Sequence, residues 1–254
     1  MNEAPLLEVR DLYKDFGKFH VLRGVSLKVR KGELAALIGP NGAGKTTFYN
    51  VVSGRYKPTR GEIFFEGLDV SGVPSFKLVG MGLLRSFQIT NIFPHLSVLE
   101  NVMTPLVIHH RLGFSILSSM RKNVALKEEA EKILDQVGLL SIAYRTASTL
   151  AYGDKRMVEI AIVLARKPKL VLLDEPTAGM NPEETDRIIL LIKELSHKSG
   201  ATFFITEHDM KVVFSIAERI FVLNQGSRLA EGSPDEIRAH PEVRRAYLGG
   251  SLDA

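Results

Sequence analysis

Nine residues, GPNGAGKTT at 39–47, limit what this chain can fold into more than any other stretch. They fit the pattern G-x-x-x-x-G-K-[ST], with Gly39, Gly44, Lys45 and Thr46 in the fixed places. The apolar run Leu34, Ala35, Ala36, Leu37, Ile38 before them predicts a buried strand, and residues 46–53 after them predict a helix. Gly42 and Gly44 let the backbone turn where a Cβ would clash. The loop of Gly39, Pro40, Asn41, Gly42, Ala43, Gly44, Lys45, Thr46 and Thr47 then points its N–H groups inward, towards phosphate oxygens. The following helix adds the positive end of its dipole. Lys45 supplies a mobile charge for β- and γ-phosphates, and the Thr46 hydroxyl is placed to ligate Mg²⁺. The competing reading is a chance Gly-rich turn followed by Lys. The strand–loop–helix order favours a nucleoside triphosphate site.

Composition narrows the setting. A chain of 254 residues, 45% hydrophobic and 24% charged, is expected to form one large domain or a domain with a subdomain. With no cysteine there are no disulfides or thiolate metal sites, which fits a reducing compartment. The opening MNEAPLLEVR carries an early Glu3 and no apolar h-region, so a signal peptide is not expected. No apolar run is long enough to span a membrane. The net charge of +4 is spread along the chain without aromatic interleaving, so no nucleic-acid partner is expected.

Read in order, residues 6–10 and 25–30 predict strands around a turn at Gly17, and 62–67 another. A Gly- and Pro-dotted stretch runs to Gly82, and 83–88 (LLRSFQ) reads as a strand ending at Gln88. Ser97 and Glu100 form an S-x-x-E capping box before an apolar periodic run. Residues 109–123 look like a polar insertion, and 127–138 like an amphipathic helix ended by Gly138. Further helices are predicted at 153–166, from Pro182 and at 235–248, and strands at 170–173, 201–206, 218–224 and 228–231. The alternation predicts an α/β core with a mostly parallel sheet, and a helical layer over about 89–150.

Two segments carry chemistry besides the phosphate loop. LVLLDEP is an apolar strand ending in carboxylates at a sheet edge: Asp174 to hold Mg²⁺, Glu175 to orient and polarise the attacking water. A helix cap or surface turn is the alternative. LAYGD (Leu150, Ala151, Tyr152, Gly153, Asp154) opens a helix with small residues, and its backbone N–H groups are expected to be free for an anion.

The stretch LAYGDKRMVEIAIVLARKPKLVLLDEPTAG resembles the signature-to-Walker-B segment of ABC-type ATPases, with departures from the usual LSGGQ at Ala151, Tyr152 and Asp154. The resemblance covers nearly the whole chain. It implies a P-loop ATPase (RecA-like) core, an antiparallel β-subdomain and a helical subdomain inserted at about 89–150 in a single 1–254 domain. It also implies ATP and Mg²⁺ as ligands. Phe16 then matches the aromatic that stacks on adenine, against the alternative of a plain core phenylalanine. Gln88 matches the glutamine that links the metal and water site to the helical subdomain. Residues 178–184 (AGMNPEE) look like the D-loop, with Asn181 where many relatives carry Asp, and His208 matches the histidine that contacts the γ-phosphate. LAYGD would close over ATP on a facing subunit.

Within that family, RSFQITNIFPHLSVLENV, a helical insertion beginning near His109, LAYG in place of LSGG, AGMNPEE and NQGSRLAEGSPDEIRAHPEVRRAYLG look like the ATPase subunits of branched-chain amino acid importers. Such subunits pair with a second ATPase and two membrane permeases at the cytoplasmic face of the membrane, and a solute-binding protein delivers the substrate. Urea importers and lipopolysaccharide exporters have similar ATPases. A P-loop GTPase should show N-K-x-D, which is absent, and a small-molecule kinase leaves LAYGD without a job. Ribosome- or DNA-directed relatives carry two nucleotide domains or a long coiled-coil insertion, and this chain has neither. Residues 90–100 gather Ile92, Phe93, Pro94 and Leu96. They are expected either to line a groove for a permease helix or to close the helical layer's own core.

Overall fold

The computed structural model describes residues 4–86, 92–110 and 123–247. The strands are β1 (Leu7–Phe16), β2 (Phe19–Val29), β3 (Leu34–Ile38), β4 (Arg60–Phe65), β5 (Leu68–Asp69), β6 (Leu83–Arg85), β7 (Leu170–Asp174), β8 (Thr202–Thr206), β9 (Arg219–Asn224) and β10 (Ser227–Gly232). The α-helices are α1 (Lys45–Val52), α2 (Ser75–Met81), α3 (Val98–His109), α4 (Val124–Gln136), α5 (Tyr152–Leu164), α6 (Pro182–Lys198), α7 (Met210–Ile216), α8 (Pro234–Ala239) and α9 (Pro241–Tyr247). The chain divides into two compact units, one of residues 1–85, 169–176 and 196–254, the other of 86–168 and 177–195.

The first unit holds both sheets. One is six-stranded in the order β10-β9-β3-β8-β7-β6, parallel throughout except for the β9–β10 hairpin. Every residue of β3, β7 and β8 is buried, as expected for strands covered on both faces. The other sheet is antiparallel, in the order β2-β1-β4-β5. The β1–β2 hairpin runs well beyond the expected 6–10 and 25–30. Polar and charged residues on its solvent face break up the apolar pattern over the outer half, while the ladder continues with register shifts. Both sheets share one buried core, which draws Leu27 and Ile63 from one sheet, Leu37 and Leu172 from the other, and Phe48 and Tyr49 from α1.

Three local departures from the sequence reading have identifiable causes. Residues 75–81 form α2 inside the Gly- and Pro-dotted stretch, closed by Gly82 at φ +100°. Residues 210–216 form α7, started by the Asp209 carboxylate accepting from the Lys211 N–H. The C-terminal helix is two short ones, because His240 precedes Pro241 and takes an extended ψ of 119°.

The second unit is helical. Ser97 and Glu100 complete the capping box of α3, and α4 is capped by Asn123. Of the polar insertion at 109–123, residues 111–122 lie outside the described residues.

Phe204 of β8 sits at the centre of the aromatic packing, with ring centroids 6.3 Å from Phe48, 5.6 Å from Tyr49 and 5.9 Å from Phe221. Phe204→Ala should cost about 3–5 kcal/mol. Chemical denaturation checks this, and a loss below about 1 kcal/mol would contradict the packing described.

Candidate nucleotide site

The loop at 39–47 joins the buried end of β3 to the start of α1. Gly42 and Gly44 adopt φ +79° and +102°, the left-handed region that glycine reaches without strain. Gly39 is required for a different reason: a Cβ there would lie 2.3 Å from the Leu223 carbonyl oxygen of β9. The loop is further fixed by the Gly226 N–H donating to the Ala43 carbonyl at 3.1 Å. The Lys45 ammonium folds back, donating to the carbonyls of Gly39 at 2.6 Å and Pro40 at 3.3 Å. Burial pulls its pKa below the ordinary lysine range, and the charges of Glu175 and Asp174 oppose that shift. A cleft of about 360 Å³, within the range of small-molecule sites, is lined by residues 41–47 with Val21, Glu175 and His208. Thr46 is exposed and lines this cleft.

At the C-terminal edge of β7, two adjacent carboxylates are in contrasting environments. Asp174 is 1% exposed. Its Oδ1 accepts from the Thr206 hydroxyl at 2.6 Å, and its Oδ2 from Arg85 Nη2 at 2.5 Å. Glu175 holds φ +48°, an unusual conformation for a side chain with a Cβ, and its N–H donates to the Thr206 carbonyl at 3.0 Å. That turn carries the Glu175 carboxylate to the cleft, where Oε1 lies 2.6 Å from His208 Nε2. The family resemblance puts this imidazole on a phosphate. In this structure it pairs with the carboxylate beside it.

Phe16 closes β1 and is 40% exposed, so it is not a core phenylalanine. Its ring meets Tyr56 edge-on at 5.4 Å, with Lys14 Nζ 4.9 Å from its centroid. Gln88 lies outside the described residues.

In the second unit, α5 starts within the LAYGD segment. Leu150 is buried, Ala151 takes the N-cap place without a side-chain bond, and Tyr152 is 43% exposed. The Tyr152 hydroxyl donates to the Ala178 carbonyl at 3.3 Å, and Asp154 pairs with Arg187 at 3.4 Å. One expectation needs correction. The Gly153 N–H is not free for an external anion, because it donates to Glu184 Oε1 at 3.1 Å. The cause is a reciprocal cap on α6: Asn181 Oδ1 accepts from the Glu184 N–H at 2.9 Å, and Glu184 Oε2 accepts from the Asn181 N–H at 3.2 Å. A carboxylate held there meets the positive end of α5 as well.

The stretch 92–97 is fastened from beneath. Asn101, fully buried, accepts from the Phe93 N–H at 2.7 Å and donates to the carbonyls of Phe93 at 3.1 Å and Ser97 at 2.9 Å. Phe93 itself is 52% exposed, so it does not close the unit's core.

Sequence reading missed Arg85, Thr206, Glu184 and Asn101. A charge ending the apolar run LLR and an Asn between apolar helix positions were the available signals for two of them. Neither says which partner it will meet.

Known proteins similar to this chain identify its family. The family described as ABC transporter matches residues 22–178, and the one described as branched-chain amino acid ATP-binding cassette transporter matches residues 227–253. The chain is 43% identical over 252 residues to the high-affinity branched-chain amino acid transport ATP-binding protein LivG of Salmonella typhimurium, covering 96% of this chain and 98% of that one. It is 41% identical over 252 residues to BraF of Pseudomonas aeruginosa, with the same coverage. Among solved structures it is similar to the ADP conformation of MJ1267, an ATP-binding cassette of an ABC transporter, at TM-score 0.85 and 33% identity over 97% of this chain and 100% of that one. It is also similar to the dimeric cassette MJ0796 bound to ADP and Pi, at TM-score 0.75 and 27% identity over 90% of this chain and 98% of that one. With the match across residues 22–178 and these relatives spanning nearly its whole length, the chain belongs to the ABC transporter family, as a nucleotide-binding ATPase subunit.

Proposed function

We propose that this chain powers the import of branched-chain amino acids through membrane permeases, working as one of a pair of ATPase subunits at the cytoplasmic face of the membrane. The observation that carries the choice of solute is the match of residues 227–253 to the branched-chain amino acid family, alongside relatives with that function. Among the described residues no helix is long and apolar enough to cross a membrane. In this reading the permeases carry the solute. A solute-binding protein delivers the solute, and no nucleic acid takes part. The dimeric MJ0796 cassette supports pairing with a second ATPase, a paralogue or a second copy.

ATP lies on residues 39–47 with its adenine on Phe16. Lys45 leaves its two loop carbonyls for the β- and γ-phosphates, an exchange of neutral acceptors for charged ones. The Thr46 hydroxyl and the Asp174 carboxylate are hard oxygen donors, a set that suits Mg²⁺, with Gln88 completing it. Held by these residues, Mg²⁺ would supply positive charge against the charge that develops on the phosphate oxygens. Glu175 orients water for in-line attack on the γ-phosphorus and accepts its proton. The His208 contact at 2.6 Å fixes which way that carboxylate faces. LAYGD of the facing subunit closes over the γ-phosphate, and the Gly153 N–H exchanges Glu184 for it. ATP therefore binds the closed dimer better than the open one, and hydrolysis reverses the shift.

Lys45→Ala removes a charge-assisted contact worth about 1.5–3 kcal/mol per hydrogen bond, so affinity for a fluorescent ATP analogue should fall at least tenfold. Unchanged affinity would remove the phosphate loop from the account. Glu175→Gln keeps the shape but cannot take the proton, and turnover should drop by about 10²–10⁴ while ATP still binds. Size-exclusion chromatography with the second ATPase present should then show a longer-lived ATP-dependent dimer; near wild-type turnover would exclude Glu175 as the base.

Phe93 is presented as a contact for a short cytoplasmic helix of the permease. Because its ring is already half exposed, Phe93→Ala should leave melting and ATP affinity of the isolated subunit nearly unchanged. It should weaken assembly with the permeases and lower uptake in proteoliposomes. Early melting, or wild-type assembly and uptake, would count against the docking role.

A further inference from the structure

Asp174 is a buried anion, and a buried anion persists only with close partners. One of its partners is an arginine, for which phosphate-loop chemistry has no evident use. Arg85 ends β6, whose register pairs it with Leu172 of β7. Leu172 and Asp174 lie two positions apart on one strand, so Arg85 and Asp174 share a face of the sheet. The guanidinium reaches in two directions. Nη2 donates to Asp174 Oδ2 at 2.5 Å, while Nη1 donates to Asn50 Oδ1 at 2.7 Å and Ser53 Oγ at 3.4 Å. Asn50 belongs to α1 and Ser53 is its C-terminal cap. Arg85, Asn50, Ser53 and Asp174 are all buried or nearly so, and the Tyr49 ring lies 5.8 Å from the guanidinium.

One planar side chain thus ties the carboxylate at the end of β7 to the helix whose first turn holds Lys45 and Thr46. We propose that Arg85 is a positioning residue for the metal–nucleotide site: its fork fixes the Asp174 carboxylate relative to α1, and so sets the spacing of the two oxygen donors, Asp174 and Thr46. This rests on the reading of those two residues as Mg²⁺ donors. A point charge does not do the same work. Lysine keeps the cation but has no rigid fork to span Asp174 and Asn50 together.

The test uses the full chain with a non-hydrolysable ATP analogue, and Mn²⁺ as a paramagnetic stand-in for Mg²⁺, followed by electron paramagnetic resonance. Arg85→Lys keeps the net charge, so any change reads geometry rather than Coulomb repulsion. Mn²⁺ affinity of the nucleotide complex should weaken about tenfold, the lower end of what outer-shell changes do at metal sites. Analogue binding without metal should stay within about twofold, since Lys45 and the loop are untouched. Asn50→Ala, which removes the shorter bond of the other arm, keeps the longer one to Ser53 and leaves Arg85 on Asp174, should weaken Mn²⁺ in the same direction by a smaller factor. It also serves where Arg85→Lys does not fold. Folded variants with lowered melting temperature and wild-type Mn²⁺ affinity would overturn the proposal, because a purely structural tie predicts that pattern. Asp174→Ala is the control: if it leaves Mn²⁺ affinity unchanged, the reading of Asp174 as a donor fails, and this inference falls with it.

Discussion

The cost of burying one carboxylate shapes this molecule more than any other interaction. Asp174 sits at the edge of a strand whose five residues are all buried, and its two oxygens take a hydroxyl from β8 and a guanidinium from β6. The strands on either side of β7 therefore each supply a donor. An unpaired charge there would cost several kcal/mol. The pairing makes a negative charge available beside the phosphate loop in a fixed place. Its neighbour Glu175 reaches the cleft only through a left-handed backbone turn, pinned by its N–H to Thr206. Strain and desolvation, both unfavourable alone, meet at one shared residue, Thr206 of β8.

The phosphate loop shows the same economy. Gly39 is glycine because the β9 carbonyl approaches to within what a Cβ would occupy, and Gly44 because of its φ. Lys45 is bonded to its own loop carbonyls and partly stripped of water, with its pKa lowered by burial. An anion that replaces those carbonyls meets a cation already oriented and already desolvated, so less of the binding energy is lost to reorganisation.

Much of this was legible in the sequence where a local pattern fixes a local structure. The strand into Gly39, the Ser97–Glu100 cap and the strand ending at Asp174 depend on residues a few positions apart. What was not legible depends on partners far apart in the chain. Nothing near Arg85 says that it will meet Asp174, and nothing in AGMNPEE says that Glu184 will reach the Gly153 N–H. The reach of the β1–β2 hairpin was hidden because a solvent-facing strand carries charges that mimic a loop. Helix α7 was hidden because its start signal, Asp209, doubles as part of the EHD string read for its histidine. Gln88, central to the family resemblance, lies outside the described residues.

Neither compact unit contains a complete catalytic apparatus on this account. The first carries the nucleotide loop and the carboxylates, the second carries LAYGD and the exposed Phe93, and the proposed mechanism takes LAYGD from a partner chain. The most direct test reconstitutes this chain in proteoliposomes with its partner ATPase and permeases and measures ATP hydrolysis against the state of the solute-binding protein. Binding protein loaded with leucine, isoleucine or valine should raise turnover well above that with unloaded protein. Turnover indifferent to those amino acids, or raised instead by an unrelated solute such as urea, would contradict the assignment.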